Sequence, residues 1–310
     1  MVSRRAFLST ALALPALGLR APVMAQAPVK VPVVATFSIL ADFVRRIGGD
    51  RVDVTSLVGP DGDAHSYAPT PADARALSGA KLVVVNGLGF EGWISRLIRS
   101  SGTRAKVVTA TTGIAALKAV EGDGHSHGHS HGAAASDPHA WQNVANARIY
   151  VTNIRDALIA ADPDGKAAFE NNAAEYLTAI AALDVEIRTM IALVPAERRR
   201  ILTNHDAFQY FSKAYGIELV ALRGVASDSE PSARDIANVI RQIKQGRITA
   251  LFLENITDPR AMQRIAAETG AKVGGQLFSD ALSPAGGPAP DYLAMMRHNA
   301  RQIVGALTQS

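Results

Sequence analysis

The chain has 310 residues, of which 48% are hydrophobic and 19% are charged, and this composition excludes a disordered, collagen-like or coiled-coil protein. Its net charge is +4, but Arg4, Arg5 and Arg20 lie in a first segment of 25 residues that contains no acidic residue. The rest of the chain has 29 basic and 28 acidic residues, so nucleic acid is not an expected partner. No cysteine is present, which excludes disulfides, thiolate metal sites, cysteine nucleophiles and a lipid anchor on cysteine.

The first segment, residues 1–25, has the pattern of an export signal. It begins with basic residues, continues with an apolar run over residues 7–19 and ends at a small residue, Ala25, after which we expect cleavage. The stretch Ser-Arg-Arg-Ala-Phe-Leu at residues 3–8 resembles a twin-arginine signal, and the alternative is an ordinary secretory signal that contains two arginines. The sequence therefore predicts a periplasmic protein without a lipid anchor.

Strands and helices alternate over residues 28–142, which we interpret as an N-terminal α/β lobe. Runs of β-branched residues predict strands, and apolar residues at helical spacing predict helices between them. The predicted strands are residues 31–37, 51–58, 81–86 and 105–109, and the predicted helices are residues 39–47, 71–77 and 93–99. This alternation favours a mainly parallel four-stranded sheet with helices on both faces.

The pattern changes after the fourth strand. Residues 122–135 are rich in Gly, Ala, Ser and His and predict a low-complexity loop. Residues 143–195 predict a helical region with one helix over 143–161 and a longer one over 165–193. The longer helix would extend over roughly 40 Å, about the width of a domain, so it could connect two lobes stiffly.

A second alternating block, residues 196–310, predicts a C-terminal lobe on the same plan. Its predicted strands are residues 200–203, 218–222, 249–254 and 272–277, and its helices begin near Ala207, Ser232, Pro259 and Pro290. Ser232 and Asp235 have the spacing of a helix-capping pair. The predicted fold class is therefore α/β, with two lobes that each contain a mainly parallel four-stranded sheet flanked by helices.

Four side chains of metal-binding type lie where predicted elements end or begin. His65 follows the second strand, His205 and Asp280 follow strands of the second block, and His139 lies between the loop and the first long helix. Because ligands bind outside the carboxyl ends of parallel strands, the three residues that follow strands are expected at the rim of a cleft. Three imidazoles and one carboxylate make a complete four-coordinate set for a divalent metal such as zinc. We interpret His298, inside a predicted helix, as a surface or packing residue.

The motifs His-Ser-Tyr-Ala-Pro-Thr, Asp-Pro-His-Ala-Trp, Asn-His-Asp-Ala-Phe and Ser-Asp-Ala-Leu-Ser occur in this order along the chain. The ordered set resembles the metal-binding periplasmic solute-binding proteins, which are the zinc and manganese receptors of ABC importers, over residues 30–308. The resemblance implies two α/β lobes joined by one long rigid helix, with one metal ion in the cleft. It implies that His65 and His139 of the first lobe, and His205 and Asp280 of the second, bind the ion.

The third ligand position bears on the choice of metal. Manganese receptors of the resembled family tend to have glutamate there and zinc receptors tend to have histidine, so His205 implies Zn²⁺, with Mn²⁺ as the alternative. Imidazole suits zinc, whereas manganese prefers oxygen ligands. Some zinc receptors of the family lack an equivalent of Asp280, and Glu254 at the end of its strand is then the alternative ligand.

Four further histidines alternate within the low-complexity loop: His125, His127, His129 and His131. A flexible tract of this kind can bind zinc weakly and in several arrangements, and zinc-specific members of the resembled family often carry such an insert here. We interpret the tract as an auxiliary zinc loop for scavenging or transfer; the alternative is a dispensable spacer.

The sequence also contains candidate hydrogen-bond partners for the ligating histidines. Ligating histidines usually donate their second N–H to a carboxylate or a carbonyl, and Asp63, Asn204 and Asp206 are close enough in sequence to serve. Tyr67 and Trp141 are expected to pack around the site and exclude water, although ordinary core packing explains both equally well.

The leading functional interpretation is a high-affinity periplasmic zinc receptor, not an enzyme, that delivers Zn²⁺ to an ABC permease. A monomer is expected, and a periplasmic zinc chaperone is a further candidate partner. A zinc storage protein or metallochaperone that uses mainly the histidine tract, and a zinc metallohydrolase, are the alternatives. The hydrolase is disfavoured because four protein ligands leave no open position for water and because the sequence has no His-Glu-x-x-His pattern.

Overall fold

The computed structural model describes residues 29–119, 135–225, 233–246, 248 and 250–308. Within its first part, four parallel strands form one sheet: Val31–Phe37 (β1), Val52–Val58 (β2), Leu82–Val85 (β3) and Lys106–Thr109 (β4). Their order across the sheet is β2-β1-β3-β4. The four predicted strands are therefore confirmed, each to within about one residue at its ends.

The second sheet repeats the first in strand number, direction and order. Its strands are Arg200–Thr203 (β5), Glu218–Ala221 (β6), Ala250–Glu254 (β7) and Lys272–Leu277 (β8). They are parallel and lie in the order β6-β5-β7-β8. The predicted common plan of the two lobes is confirmed, while Thr249, the predicted start of the third strand, lies outside the described residues.

Helices connect the strands and cover both sheets. In chain order they are Ser38–Gly48 (α1), Pro71–Gly79 (α2), Ile94–Ser101 (α3), Val144–Ala161 (α4), Lys166–Ala192 (α5), Gln209–Tyr215 (α6), Ala233–Lys244 (α7), Arg260–Thr269 (α8) and Tyr292–Thr308 (α9). Among these described helices, none combines the length with the apolar composition that crossing a membrane requires. Ser232, the predicted cap of α7, lies outside the described residues.

Two helices of the second lobe begin slightly later than the sequence predicts. The N–H of Ala207 donates to the carbonyl of His205 at 3.0 Å, and this tight turn keeps α6 from beginning before Gln209. The α9 helix begins at Tyr292 rather than near Pro290, and a carboxylate oxygen of Asp42 in α1 accepts from the N–H of Tyr292 at 3.0 Å. That carboxylate satisfies a backbone donor that a helix start leaves unpaired.

Strand β1 is buried on both faces, as expected of a central strand in a parallel sheet. Val33 and Ala35 face the largest hydrophobic cluster, whereas Val34 faces a second cluster under α2 and α3. The largest cluster continues into the second lobe, where it includes Ile201 of β5 and Phe252 of β7. The two sheets are therefore joined by one continuous hydrophobic core on their inner faces.

The long helix α5 has 27 residues and follows α4 between the two sheets. Its buried side chains recur at spacings of three, four and seven and face α1, α4 and α9; they are Phe169, Ala173, Tyr176, Ile180, Leu183, Ile187 and Ile191. At roughly 40 Å, α5 has the predicted length and connects the lobes as a single helix.

Candidate metal centre

Four side chains from four different segments meet between the ends of the two sheets. His65, His139, His205 and Asp280 each place one nitrogen or oxygen atom within 4.8 Å of the others, and we call this group the His–Asp cluster. His65 lies in the loop after β2, and His205 and Asp280 follow the carboxyl ends of β5 and β8. His139, His205 and Asp280 are fully buried, while the side chain of His65 is 8% exposed.

Four contacts within the cluster have lengths close to those between ligands of one small ion. Nε2 of His65 lies 3.1 Å from Nε2 of His139 and 3.2 Å from Oδ2 of Asp280. Nε2 of His205 lies 3.2 Å from Oδ2 of Asp280, and Nε2 of His139 lies 3.5 Å from Oδ1. Two ligand atoms of a tetrahedral zinc ion lie about 3.4 Å apart. The donor atoms thus enclose a space suited to one such ion.

A carboxylate orients each of the two fully buried imidazoles. Oδ1 of Asp137 lies 2.8 Å from Nδ1 of His139 and accepts from the backbone N–H of the same residue at 2.9 Å. Glu254 contacts His205 in the same way, with Oε2 at 2.5 Å from Nδ1 and Oε1 accepting from the backbone N–H at 2.9 Å. Each contact favours the tautomer that carries its proton on Nδ1 and leaves Nε2 free for the cluster.

Glu254 therefore contacts a candidate ligand, and Asp280 occupies the fourth place in the cluster. Sequence reasoning missed the part that Asp137 plays, although its position two residues before His139 in Asp-Pro-His was a usable signal. An aspartate two residues before a histidine can reach the N–H of that histidine, as Asp63 also does for His65 at 2.8 Å. Asp206, a predicted neighbour, instead accepts from Gln209.

Aromatic rings surround the cluster on the side of the first lobe. The ring of Phe90 packs edge-on against His65 at a centroid distance of 4.6 Å, and the ring of Trp141 packs against His139 at 5.3 Å. Trp141 thus lies against the site as predicted, whereas Tyr67 packs against Trp93 and donates to Asp73. The rings keep the imidazoles away from bulk water.

The loop that carries His139 is held by a buried polar network. The side-chain amide of Asn86, at the end of β3, donates to the carbonyl of Pro138 at 2.9 Å and accepts from the hydroxyl of Tyr150 at 2.7 Å. Glu91, which is buried, accepts from the N–H of Asn86 at 2.6 Å and from the hydroxyl of Thr36 at 2.6 Å. Burial raises the pKa of Glu91, and these hydrogen bonds partly offset that effect.

The charges inside the cluster perturb one another strongly. Burial alone would lower the pKa of His139, but Asp280 and Asp137 outweigh it and raise that pKa to about 9. Burial likewise opposes the effect of Glu254 and Asp280 on His205, whose pKa lies well above its ordinary value. Burial would raise the pKa of Asp280, yet the two imidazoles hold it well below its usual range.

The remaining histidines lie elsewhere. His298 is outside the cluster: its Nε2 lies 3.0 Å from the carbonyl oxygen of Gln276, and its ring packs against Phe278. This agrees with its interpretation as a packing residue. His125, His127, His129 and His131 lie outside the described residues.

Comparison with known proteins is consistent with this geometry. Residues 33–306 match the ZnuA family, described as "Zinc-uptake complex component A periplasmic". The manganese-binding lipoprotein MntA of Halalkalibacterium halodurans is 34% identical over 277 residues, which cover 89% of this chain and 88% of that protein. The iron-binding protein YfeA of Yersinia pestis is 33% identical over 281 residues, covering 90% and 87% respectively.

Among solved structures, the periplasmic zinc-binding protein TroA of Treponema pallidum superimposes with a TM-score of 0.81. It is 32% identical to this chain, and the match covers 90% of this chain and 99% of TroA. Nearly the whole length is thus shared with proteins named for manganese, iron and zinc, and the fold is shared with the zinc-binding one.

Proposed function

Since the chain belongs to the ZnuA family of periplasmic metal-binding receptors of ABC importers, we propose that it captures Zn²⁺ between its two lobes and delivers the ion to a membrane permease. Members of this family are receptors and not enzymes. The observation that carries this proposal is the convergence of His65, His139, His205 and Asp280, whose donor atoms all lie within 4.8 Å of one another and approach to 3.1–3.5 Å in four contacts. Four ligands complete the coordination of the ion, as suits capture and transfer rather than catalysis.

Zinc is favoured by the kind of donor atoms in the cluster. Three of the four are imidazole nitrogens, which suit zinc better than manganese, and a neutral imidazole brings no charge of its own. Manganese is the second candidate cargo, because the relative MntA is named for it. An oxygen ligand in place of His205 would move the site toward manganese, so this residue is the one to test.

Metal analysis of the purified protein beside a His205→Glu variant tests the assignment. We expect zinc in the parent and roughly tenfold weaker zinc binding in the variant, because a harder oxygen replaces an imidazole. His298→Glu, the same substitution at a histidine outside the cluster, should bind zinc like the parent. Equal zinc affinity in the parent and in His205→Glu would remove the reason for assigning metal choice to this position.

Zinc binding should release protons from the cluster. The pKa of His139 is about 9 in the metal-free protein, so its ring is protonated at neutral pH, whereas a zinc ligand must be neutral. The apparent affinity is therefore expected to rise with pH, by up to about tenfold per unit for each proton released, until the pH exceeds about 9. Calorimetry at pH 7 in buffers of different ionisation enthalpy would detect these protons, and buffer-independent heats would contradict the expectation.

The stability of the metal-free fold changes with pH in the opposite direction to the zinc affinity. Because the pKa of His139 is raised from 6.5 to about 9 on folding, the protonated ring stabilises the metal-free protein fully below about pH 6.5. That stabilisation is lost as the pH rises through about 9.

We further propose that His125, His127, His129 and His131 form an auxiliary zinc loop that binds weakly and feeds the main site. Deletion of residues 123–132 is expected to leave one tight zinc per chain, because none of the four cluster residues is removed. Equilibrium dialysis would show the weaker ions disappearing and the tight one remaining. Loss of the tight ion would place the principal site in the loop and favour a storage protein.

The expected partner is the permease of an ABC importer, reached in the periplasm after export. A periplasmic zinc chaperone that loads the receptor and a monomeric state are parts of the same proposal. Binding of one zinc ion that resists removal by a chelator would support the function of a receptor. Binding of several zinc ions with low affinity would support the function of a storage protein.

A further inference from the structure

Residues 117–119 and 135–137 form a short antiparallel ladder in the first lobe. At one end of this ladder the N–H of Asp137 donates to the carbonyl of Leu117 at 2.8 Å. Two residues paired in this way normally exchange both of their N–H···O bonds, so the N–H of Leu117 would donate back to the carbonyl of Asp137. A side chain from the second lobe takes the place of that returning bond.

The hydroxyl of Tyr210 lies between the two main-chain groups. It accepts from the N–H of Leu117 at 3.0 Å and donates to the carbonyl of Asp137 at 3.0 Å. Tyr210 belongs to α6, so its hydroxyl reaches from the second lobe into the ladder of the first. The side chain is buried, and burial raises the pKa of Tyr210, so the hydroxyl keeps the proton that it donates.

Asp137 connects this ladder to the His–Asp cluster. Its carboxylate is fully buried and contacts both Nδ1 and the backbone N–H of His139, at 2.8 and 2.9 Å. The next carbonyl along the chain, that of Pro138, accepts from the side-chain amide of Asn86 at 2.9 Å. Two successive carbonyls immediately before His139 are therefore held by side chains, the first by Tyr210 of the second lobe and the second by a residue of the first lobe.

The helix α6 also lies next to His205 along the chain. A tight turn connects His205 to the start of α6 at Gln209. The same helix packs against residues 140–142, which directly follow His139. Tyr210 is therefore connected to one candidate ligand by a short stretch of main chain, and its hydroxyl is bonded to the residue that orients a second candidate ligand.

We infer that Tyr210 is a positioning residue that fixes the imidazole of His139 relative to that of His205. Its hydroxyl holds the main chain of Asp137, and the carboxylate of Asp137 directs Nε2 of His139 toward the metal ion. Without the hydroxyl, the two ladder groups either close on each other or stay unpaired, and both outcomes displace that carboxylate from His139. Core packing alone requires the ring and not the hydroxyl. This inference rests on the proposed metal-binding function.

Tyr210→Phe tests the role of the hydroxyl because it keeps the ring. We expect this variant to bind Co²⁺, whose visible absorption reports both binding and coordination, roughly three- to tenfold more weakly than the parent. The loss is smaller than the 10–100-fold that removal of a direct orienting partner costs, because the hydroxyl acts through Asp137. Tyr215→Phe is the matched control on α6, since its hydroxyl donates to Asp184 of α5 at 2.8 Å, and it should bind Co²⁺ like the parent.

A double-mutant cycle identifies the ligand through which the hydroxyl acts. If Tyr210 acts through His139, the Tyr210→Phe substitution costs no further affinity in a His139→Ala background and keeps its full effect in a His65→Ala background. An equal loss in the parent and in both backgrounds would overturn the positioning role, because a merely structural effect does not depend on His139. Parent-like Co²⁺ affinity of Tyr210→Phe would overturn it as well.

The absorption spectrum provides a second readout and separates this inference from the function on which it rests. The Co²⁺ bands of Tyr210→Phe should differ from those of the parent, because one imidazole binds at a changed angle, whereas Tyr215→Phe should reproduce the parent spectrum. Identical spectra of the parent and Tyr210→Phe would count against the positioning role and leave the metal receptor intact. Failure of the parent to bind either Co²⁺ or Zn²⁺ would instead overturn the proposed function.

Discussion

Replacing His139 by alanine is expected to weaken zinc binding by about two orders of magnitude or more, since loss of a partner that merely orients a ligand already costs about 10–100-fold. The substitution removes one of the four donor atoms. It also leaves the carboxylate of Asp137, which is fully buried, without the imidazole that it contacts at 2.8 Å. Competition with a chelator of known affinity would measure the loss.

His298→Ala is the matched control, because it removes an imidazole from outside the cluster and should retain the affinity of the parent. Circular dichroism of both variants would establish that each is folded. A His139→Ala protein that binds zinc within a few-fold of the parent would show that the His–Asp cluster is not the principal site.

Protons take the place of the cation while the site is empty. Asp137, Glu254 and Asp280 bring three buried carboxylates around the imidazoles, and the pKa values of His139 and His205 are raised as a consequence. A divalent ion brings the same two positive charges as two protonated imidazoles. Binding is therefore an exchange of protons for metal that leaves the net charge of the buried group unchanged, and the carboxylates that orient the rings also favour the cation.

The sequence predicted the positions of the cluster residues because parallel sheets impose a simple rule. His65, His205 and Asp280 each follow a strand, and the carboxyl ends of parallel strands meet at one edge of a sheet. Short-range patterns predicted the strands themselves, since runs such as Leu-Val-Val-Val in β3 have few alternatives. The resemblance to a known family then implied two lobes joined by one long helix, with a metal ion in the cleft.

The contacts of the cluster could not be predicted in the same way. Glu254 is the last residue of β7. The sequence around it does not decide whether its carboxylate points to a metal ion or to Nδ1 of His205. The attachment of Leu282 to Ser38 joins residues 244 positions apart, so it depends on the packing of one lobe against the other. Sequence patterns report local structure, whereas these directions follow from the assembled core.

Removal of zinc is expected to lower the midpoint of thermal unfolding by roughly 10 °C. An ion that binds only the folded state stabilises it by about 4 kcal/mol when its concentration is about 1,000 times the dissociation constant. For a chain of this size, each kcal/mol shifts the midpoint by about 2–4 °C. Calorimetry of the zinc-loaded protein before and after treatment with a chelator measures the shift. The His139→Ala variant should shift by only about 3–6 °C at the same zinc concentration, because an ion at about 10 times the weakened dissociation constant stabilises the fold by only about 1.4 kcal/mol. A shift of equal size in the variant would mean that zinc stabilises the fold from somewhere other than the His–Asp cluster.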